Sequence, residues 1–246
     1  MMQLNSGQPY RRRSIPLRWL AAALGFVILI SAGYLIYREL RGNASRTALI
    51  FAWLRNPFSH QEWLVQAGQR CGEASFILPT NGFVGYLWND SFRIGHRHQG
   101  IDIFSGTPSG ETAVVAAYPG YLSRLPEWKS SVIVRIPEDP LHPGQQIWTY
   151  YTHMASPDGE SYISPEFPPG VNEVYIEAGT LLGFQGNYSG TPGNPVGVHL
   201  HFSIVKDDGE GKFLNELEIS NTLDPSAYIG LPVNAELNQG EVPACN

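Results

Sequence analysis

Three stretches of the 246-residue chain carry the residue types that could do chemistry. The first is Gly197-Val198-His199-Leu200-His201-Phe202, which reads as a β-strand. Side chains in a strand alternate faces with a period of two, so His199 and His201 point one way and Leu200 and Phe202 the other. Two imidazoles side by side suit a metal or a proton transfer. The second is Gly95-His96-Arg97-His98-Gln99-Gly100-Ile101-Asp102-Ile103-Phe104, also read as a strand. His98 and Asp102 then share a face, with Gly100 between them leaving room and Ile101 and Ile103 opposite. The candidate donors are His98, Asp102 and one or both of His199 and His201. Two histidines and a carboxylate are a common ligand set for a catalytic zinc that keeps one position open. The third is Trp148-Thr149-Tyr150-Tyr151-Thr152-His153, where Tyr151 and His153 are expected on one face. Beside a metal site, His153 becomes a candidate for proton transfer or oxyanion stabilisation. A pH switch built from the same histidines is the weaker reading, because an aspartate at this spacing is what a metal needs.

The elements that must hold these residues are short strands. The chain is 43% hydrophobic and 15% charged, enough for one globular domain plus an appendage. Its 26 Gly and 19 Pro imply many turns. Candidate strands are 75–78, 83–88, 98–104, 113–117, 121–124, 132–136, 146–153, 174–176, 181–185 and 199–205. Two stretches, 137–144 and 156–171, read as loops, and Asp224-Pro225 opens a short helical turn through Tyr228. So many short strands with almost no helix between them point to a mainly β, antiparallel fold, a sandwich or partial barrel.

The N-terminal segment is different. Residues 1–18 form a basic tail, expected to be cytoplasmic. Trp19–Tyr37, WLAAALGFVILISAGYLIY, holds no charge and is long enough for a transmembrane helix. Arginines at 11–13 and 18 favour a cytoplasmic N-terminus and an extracytoplasmic domain. A cleaved signal peptide, giving a secreted domain, is the rival reading. Residues 38–74 read as a connector. Within it Ala48–Leu54 is an apolar run expected on the membrane surface or against the domain. Ser59-His60-Gln61-Glu62 fits a capping box that would open a helix over about 60–69, with His60 a surface residue. Residues 1–47 carry a charge of +6 and the remainder −12, which argues against nucleic acid as a partner. The two cysteines, Cys71 and Cys245, could form a disulfide in an exported domain or remain free thiols.

Taken in order, the motifs resemble those of the lysostaphin/LytM-type zinc peptidases. They are His98-x-Gly100-x-Asp102, Tyr151-x-His153 and His199-x-His201. Ala116-Ala117-Tyr118-Pro119-Gly120, Ala178–Gly186 and Asp224-Pro225 add to the likeness, which covers about residues 75–230 and leaves 231–246 as a tail. The resemblance implies an antiparallel sheet lining a groove, one zinc ion per chain, and a substrate that is peptidoglycan or another peptide. It implies His98, Asp102 and His201 as zinc ligands and His153 and His199 as the catalytic pair. His96 matches no ligand and is expected as a bystander, and His142 as a surface residue. The chain departs from the pattern at Gly110-Glu111-Thr112 and in the 137–144 and 156–171 loops, which are expected to form the groove walls. Zinc lowers the pKa of a bound water from 15.7 to about 7, and that water would be the nucleophile. Without a His-Glu-x-x-His motif, the general base must be a histidine. The expected function is a membrane-anchored endopeptidase of peptidoglycan cross-links. The alternative is a non-catalytic wall-binding or amidase-activating module of the same fold.

Overall fold

The computed structural model describes residues 17–91, 95–238 and 240–245; the side chains of 17, 18, 20–23 and 38–45 fall outside this description. The basic tail of residues 1–16 therefore lies outside the described residues. The chain divides into two compact units at Arg41/Gly42.

Helix α1 covers Leu17–Arg55. Its Leu24, Phe26–Ile30 and Tyr34–Tyr37 side chains are exposed. Trp19–Tyr37 is helical, as expected. Among the described residues, however, no helix is long and apolar enough to cross a membrane.

In the second unit the last turns of α1 pack on the sheet. Ile50 and Trp53 are buried with Phe83 and Phe104, while Phe51 and Leu54 stay exposed. Of the two places expected for Ala48–Leu54, its apolar side thus takes the domain. The helix expected over about 60–69 is instead a 3-10 turn, Pro57–Trp63. Pro57 starts it, and His60 leaves helical geometry at φ −136°. Ser59 accepts a hydrogen bond from Asn56 Nδ2 (2.7 Å) and caps nothing.

The following strands are β1 Leu64–Val65, β2 Gly82–Val84, β3 Ile101–Phe104, β4 Ala113–Val115, β5 Gly120–Ser123, β6 Val132–Ile136, β7 Ile147–Thr152, β8 Val174–Ile176, β9 Leu181–Phe184, β10 Gly186–Tyr188, β11 Pro195–Lys206 and β12 Thr222–Leu223. A four-residue helix, α2 Ser226–Ile229, follows. Residues 75–78 form no strand, although Phe76 and Leu78 still reach the core, and β10 has no counterpart among the expected strands.

One antiparallel sheet runs β1-β2-β3-β11-β7-β6-β5-β8, with β10 and β12 also paired to β11; β4 and β9 form a separate ribbon. The twelve-residue β11 is its spine. Leu200, Phe202 and Ile204 of β11 are buried in one core with Ile101 and Ile103 of β3 and Tyr151 of β7. Burial of this alternate set fixes the register, because a one-residue slip would turn the apolar face outward.

The ends are tied down. Cys71 and Cys245 form a disulfide. Arg46 donates to Asn238 Oδ1 (2.6 Å) and to the Glu241 carbonyl (3.0 Å). The 156–171 loop sends Ile163 and Phe167 into the core, and Arg124 holds the Phe167 carbonyl (2.9 Å).

Gly100 has a different use from the one its position suggested. A Cβ there would lie 2.2 Å from the Phe202 carbonyl oxygen. The space it leaves admits the backbone of β11 and no ligand. Gly100→Ala is expected to destabilise the domain by about 2–4 kcal/mol, because backbone must move in a packed sheet. Thermal unfolding against the parent checks this, and an unchanged midpoint would refute the close approach.

Candidate metal centre

Asp102 on β3 and His201 on β11 are direct cross-strand partners. Their facing atoms, Oδ1 and Nδ1, lie 2.9 Å apart. His98 comes from the segment before β3, so it does not share a strand with Asp102. Its backbone is anchored instead: the His98 N–H donates to the Asp90 carbonyl and its carbonyl accepts from the Asn89 N–H, both at 2.8 Å. His98 Nε2 lies 3.1 Å from Asp102 Oδ1 and 3.0 Å from His201 Nδ1. One donor atom from each of the three residues falls within a 4.8 Å cluster.

The tautomer of His98 decides what this cluster can hold. Its Nδ1 lies 2.9 Å from the Leu87 carbonyl, which can only accept, so the proton sits on Nδ1. Neutral His98 therefore turns a lone pair on Nε2 toward the carboxylate of Asp102, acceptor facing acceptor. A divalent cation among the three resolves that conflict, and a backbone carbonyl behind a ligating histidine is the usual orienting partner. The donor set thus fits zinc. Burial would raise the Asp102 carboxyl, but His98 and His199 beside it and the hydrogen bonds that His201 and a protonated His98 give it hold it well below the usual carboxylate range. Burial pulls both His98 and His201 down. At His98 the Asp102 charge and hydrogen bond outweigh it and the net shift is upward, whereas His201, with His98 and His199 also near, stays lowered.

His199 and His153 complete the cluster of imidazoles. Their ring centroids are 4.5 Å apart, and His153 is 6.2 Å from His201. His199 donates from Nδ1 to the Gly197 carbonyl (2.9 Å) and His153 from Nδ1 to the Tyr188 carbonyl (2.6 Å). Both Nε2 atoms are thereby left bare. His199 Nε2 lies 3.7 Å from Asp102 Oδ1. Burial, then the nearby His199 and His201, push His153 down to about 3.

Tyr151 and His153 do not share a face. Strand β7 ends at Thr152, and His153 takes a left-handed backbone, φ +74°. Tyr151 points into the core, where its hydroxyl accepts the Ala117 N–H at 2.9 Å. The period-two rule fails here because it holds only inside the strand. At β11 it holds: His199 and His201 line the cleft while Leu200 and Phe202 are buried behind them.

The five residues open on one cavity of about 490 Å³. Its walls are not the expected loops. Nothing from 137–144 or 156–171 lines it; the walls come from 188–190, Val196, Glu216 and Leu217. The 156–171 loop is spent on core packing, and the 137–144 loop is pinned to α2, where the buried Asp139 carboxylate accepts from Tyr228 (2.8 Å) and His142 (3.0 Å). His96 lines the cavity without belonging to the donor cluster. His60 stacks on Trp63, away from these walls.

Sequence reasoning missed the supports and the hydroxyl wall. Phe104 stacks on His199 (4.9 Å between centroids), and its carbonyl accepts from Trp53 Nε1 of α1 at 2.7 Å. Tyr86 sets its ring edge to His98 and shares a 3.1 Å hydrogen bond with Thr47 of α1. Ser130, Ser131, Tyr150 and Thr152 also line the cavity, with Thr152 directly across the ladder from His201. Tyr150 and Thr152 alternate with the core residue Tyr151, a signal available in the strand pattern. The α1 contacts carried none.

No family model and no curated protein matches the chain. Solved structures similar to it include the catalytic domain of lysostaphin from Staphylococcus simulans, at 19% identity, 61% of this chain, 90% of that chain and a TM-score of 0.38. Csd3 from Helicobacter pylori is similar at 18% identity over 63% of this chain, with a TM-score of 0.39; the match spans 35% of the Csd3 chain. A variant catalytic domain of the prophage-encoded M23 protein EnpA from Enterococcus faecalis matches at 19% identity, 61% of this chain, 94% of that chain and a TM-score of 0.34. The similar solved structures are those of M23 peptidases.

Trp53→Phe keeps the bulk and leaves the buried Phe104 carbonyl without its donor. The expected cost is about 1–3 kcal/mol of stability. The ring resonances of His199 should shift because Phe104 moves against it, while those of the exposed His142 stay in place. Unmoved His199 resonances would show that Trp53 does not reach the site.

Proposed function

We propose that this chain is a zinc-dependent endopeptidase that hydrolyses peptide bonds in peptidoglycan cross-links. The observation that carries the reading is the donor cluster of His98, Asp102 and His201 with two further bare imidazole nitrogens facing the same cavity. A non-catalytic module needs neither the pair nor the cleft. The motif order described above supports peptidoglycan as the substrate.

His98 Nε2, Asp102 Oδ1 and His201 Nδ1 would hold the metal. A zinc ion there would supply Lewis-acid chemistry, polarising an amide carbonyl and acidifying water. The chain's own residues manage the protons. His199 Nε2 and His153 Nε2 each carry a lone pair, because each Nδ1 proton is committed to a carbonyl. One takes a proton from the attacking water and delivers it to the leaving amine as the C–N bond breaks. The other, drawing a proton from solvent as negative charge builds up beside it, donates to the oxyanion that develops on the former carbonyl oxygen. The stack of Phe104 on His199 and the left-handed turn at His153 hold the two rings at the cavity wall.

We place the domain outside the cytoplasm. The Cys71–Cys245 disulfide supports an oxidising compartment. The uncharged run of residues 19–37 behind four arginines supports export with the helix retained as an anchor, and a secreted form follows if it is cleaved.

His153→Ala and His199→Ala are each expected to bind one zinc per chain and to lose cleavage by about 10²–10⁴-fold. His98→Ala should lose the metal as well. Metal analysis of the purified variants and mass analysis of fragments released from sacculi check both. Zinc bound by the parent with no fragment from any sacculus preparation would favour the non-catalytic module. Parent-level cleavage by both alanine variants would overturn the roles given to these histidines.

A further inference from the structure

Beside the imidazoles, Tyr150 and Thr152 of β7 line the cavity together with Ser130 and Ser131, and Thr152 lies directly across the ladder from His201. Tyr150 donates its proton to Ser131 Oγ at 2.9 Å, so its oxygen offers the cavity lone pairs only. The Ser131 and Thr152 hydroxyls are already joined at 2.6 Å. Glu216 lines the same cavity, and its carboxylate makes no hydrogen bond or ion pair among the described residues. Among those residues, no lysine or arginine lines the cavity to balance it. Burial and then the nearby Glu216 raise the Tyr150 pKa, which keeps that hydroxyl protonated and committed to Ser131.

Glu216 is presented by an ordered turn. The Leu217 carbonyl accepts from Gln99 Nε2 at 2.8 Å, and the Leu217 N–H donates to Asn215 Oδ1 at 3.2 Å. Gln99 neighbours His98, so the turn is fastened to the metal-donor segment itself. A half-buried, unpartnered carboxylate on a fastened turn, lining the same cavity as a phenol oxygen, awaits a cationic donor. A primary ammonium has three donors and no acceptor, which matches such a surface; a neutral amide would leave the charge of Glu216 uncompensated.

We infer that Glu216 and Tyr150 form a subsite for a primary ammonium group of the peptide substrate. The inference rests on the peptidase reading for the word substrate, and its ligand chemistry stands on the wall alone. The ammonium comes either from a diamino side chain or from a chain N-terminus.

Binding to the full chain, kept zinc-free with a chelator so that no probe is cut, tests this apart from catalysis. The probes are N-acetylated pentaglycine amides with lysine walked through each position, the same peptides with Nε-acetyl-lysine, and pentaglycine amide with a free or acetylated N-terminus. At least one ammonium probe should bind about tenfold more tightly than its acetylated twin. Preference among the lysine peptides assigns a side-chain source, and preference for the free N-terminus assigns the other. Glu216→Gln should reduce the discrimination below about twofold, and Glu216→Asp should restore part of it. Equal binding of all twins by the parent, or full discrimination by Glu216→Gln, would overturn the subsite. Discrimination in a chain that cuts no peptide would sink the peptidase reading and leave the subsite standing.

Discussion

The cross-strand pairing of Asp102 with His201 is the constraint on which the rest depends. Directly opposite residues in an antiparallel ladder have neighbouring Cβ atoms, about 4.5–5.5 Å apart. A carboxylate and an imidazole at such a pair must meet whether or not their chemistry favours it. The pairing is enforced by apolar burial on the other face, where Leu200, Phe202, Ile101 and Ile103 are fully inaccessible. The donor pair thus inherits its geometry from the hydrophobic register of β3 and β11.

What remains is orientation, and backbone carbonyls provide most of it. Leu87, Gly197 and Tyr188 each take an Nδ1 proton from a histidine. Three imidazoles are thereby held in one tautomer with Nε2 turned to the cleft. A carbonyl cannot exchange roles with its donor, so this arrangement survives whatever enters the cavity. The same chemistry makes His98 Nε2 and Asp102 Oδ1 an acceptor pair that only a proton or a cation can reconcile.

A second layer comes from outside the sheet. Trp53 and Thr47, on the last turns of α1, bond to Phe104 and Tyr86. The rings of Phe104 and Tyr86 in turn lie against His199 and His98. The tail holds these turns in place through the bonds from Arg46 to Asn238 and Glu241. Residues remote in sequence thus set the packing behind the cleft. The walls of the cleft itself come from residues 188–190, Val196 and the turn at 216–217 and not from the longest loops. Loop length says nothing about which side of a sheet a loop covers.

The sequence by itself determined the β-rich architecture, most strand positions and the identity of the five clustered residues, because alternation and residue type are local properties. At β11 the alternation also assigned the correct faces. At His98 and His153 it did not, although both residues join the cluster: one precedes its strand and the other follows it, where backbone turns replace the period of two. The space at Gly100, the tautomers, the α1 supports and the fastening of the Glu216 turn to Gln99 were decided only by tertiary structure. Each depends on a partner more than thirty residues away or on a carbonyl direction, and neither leaves a periodic trace in the chain.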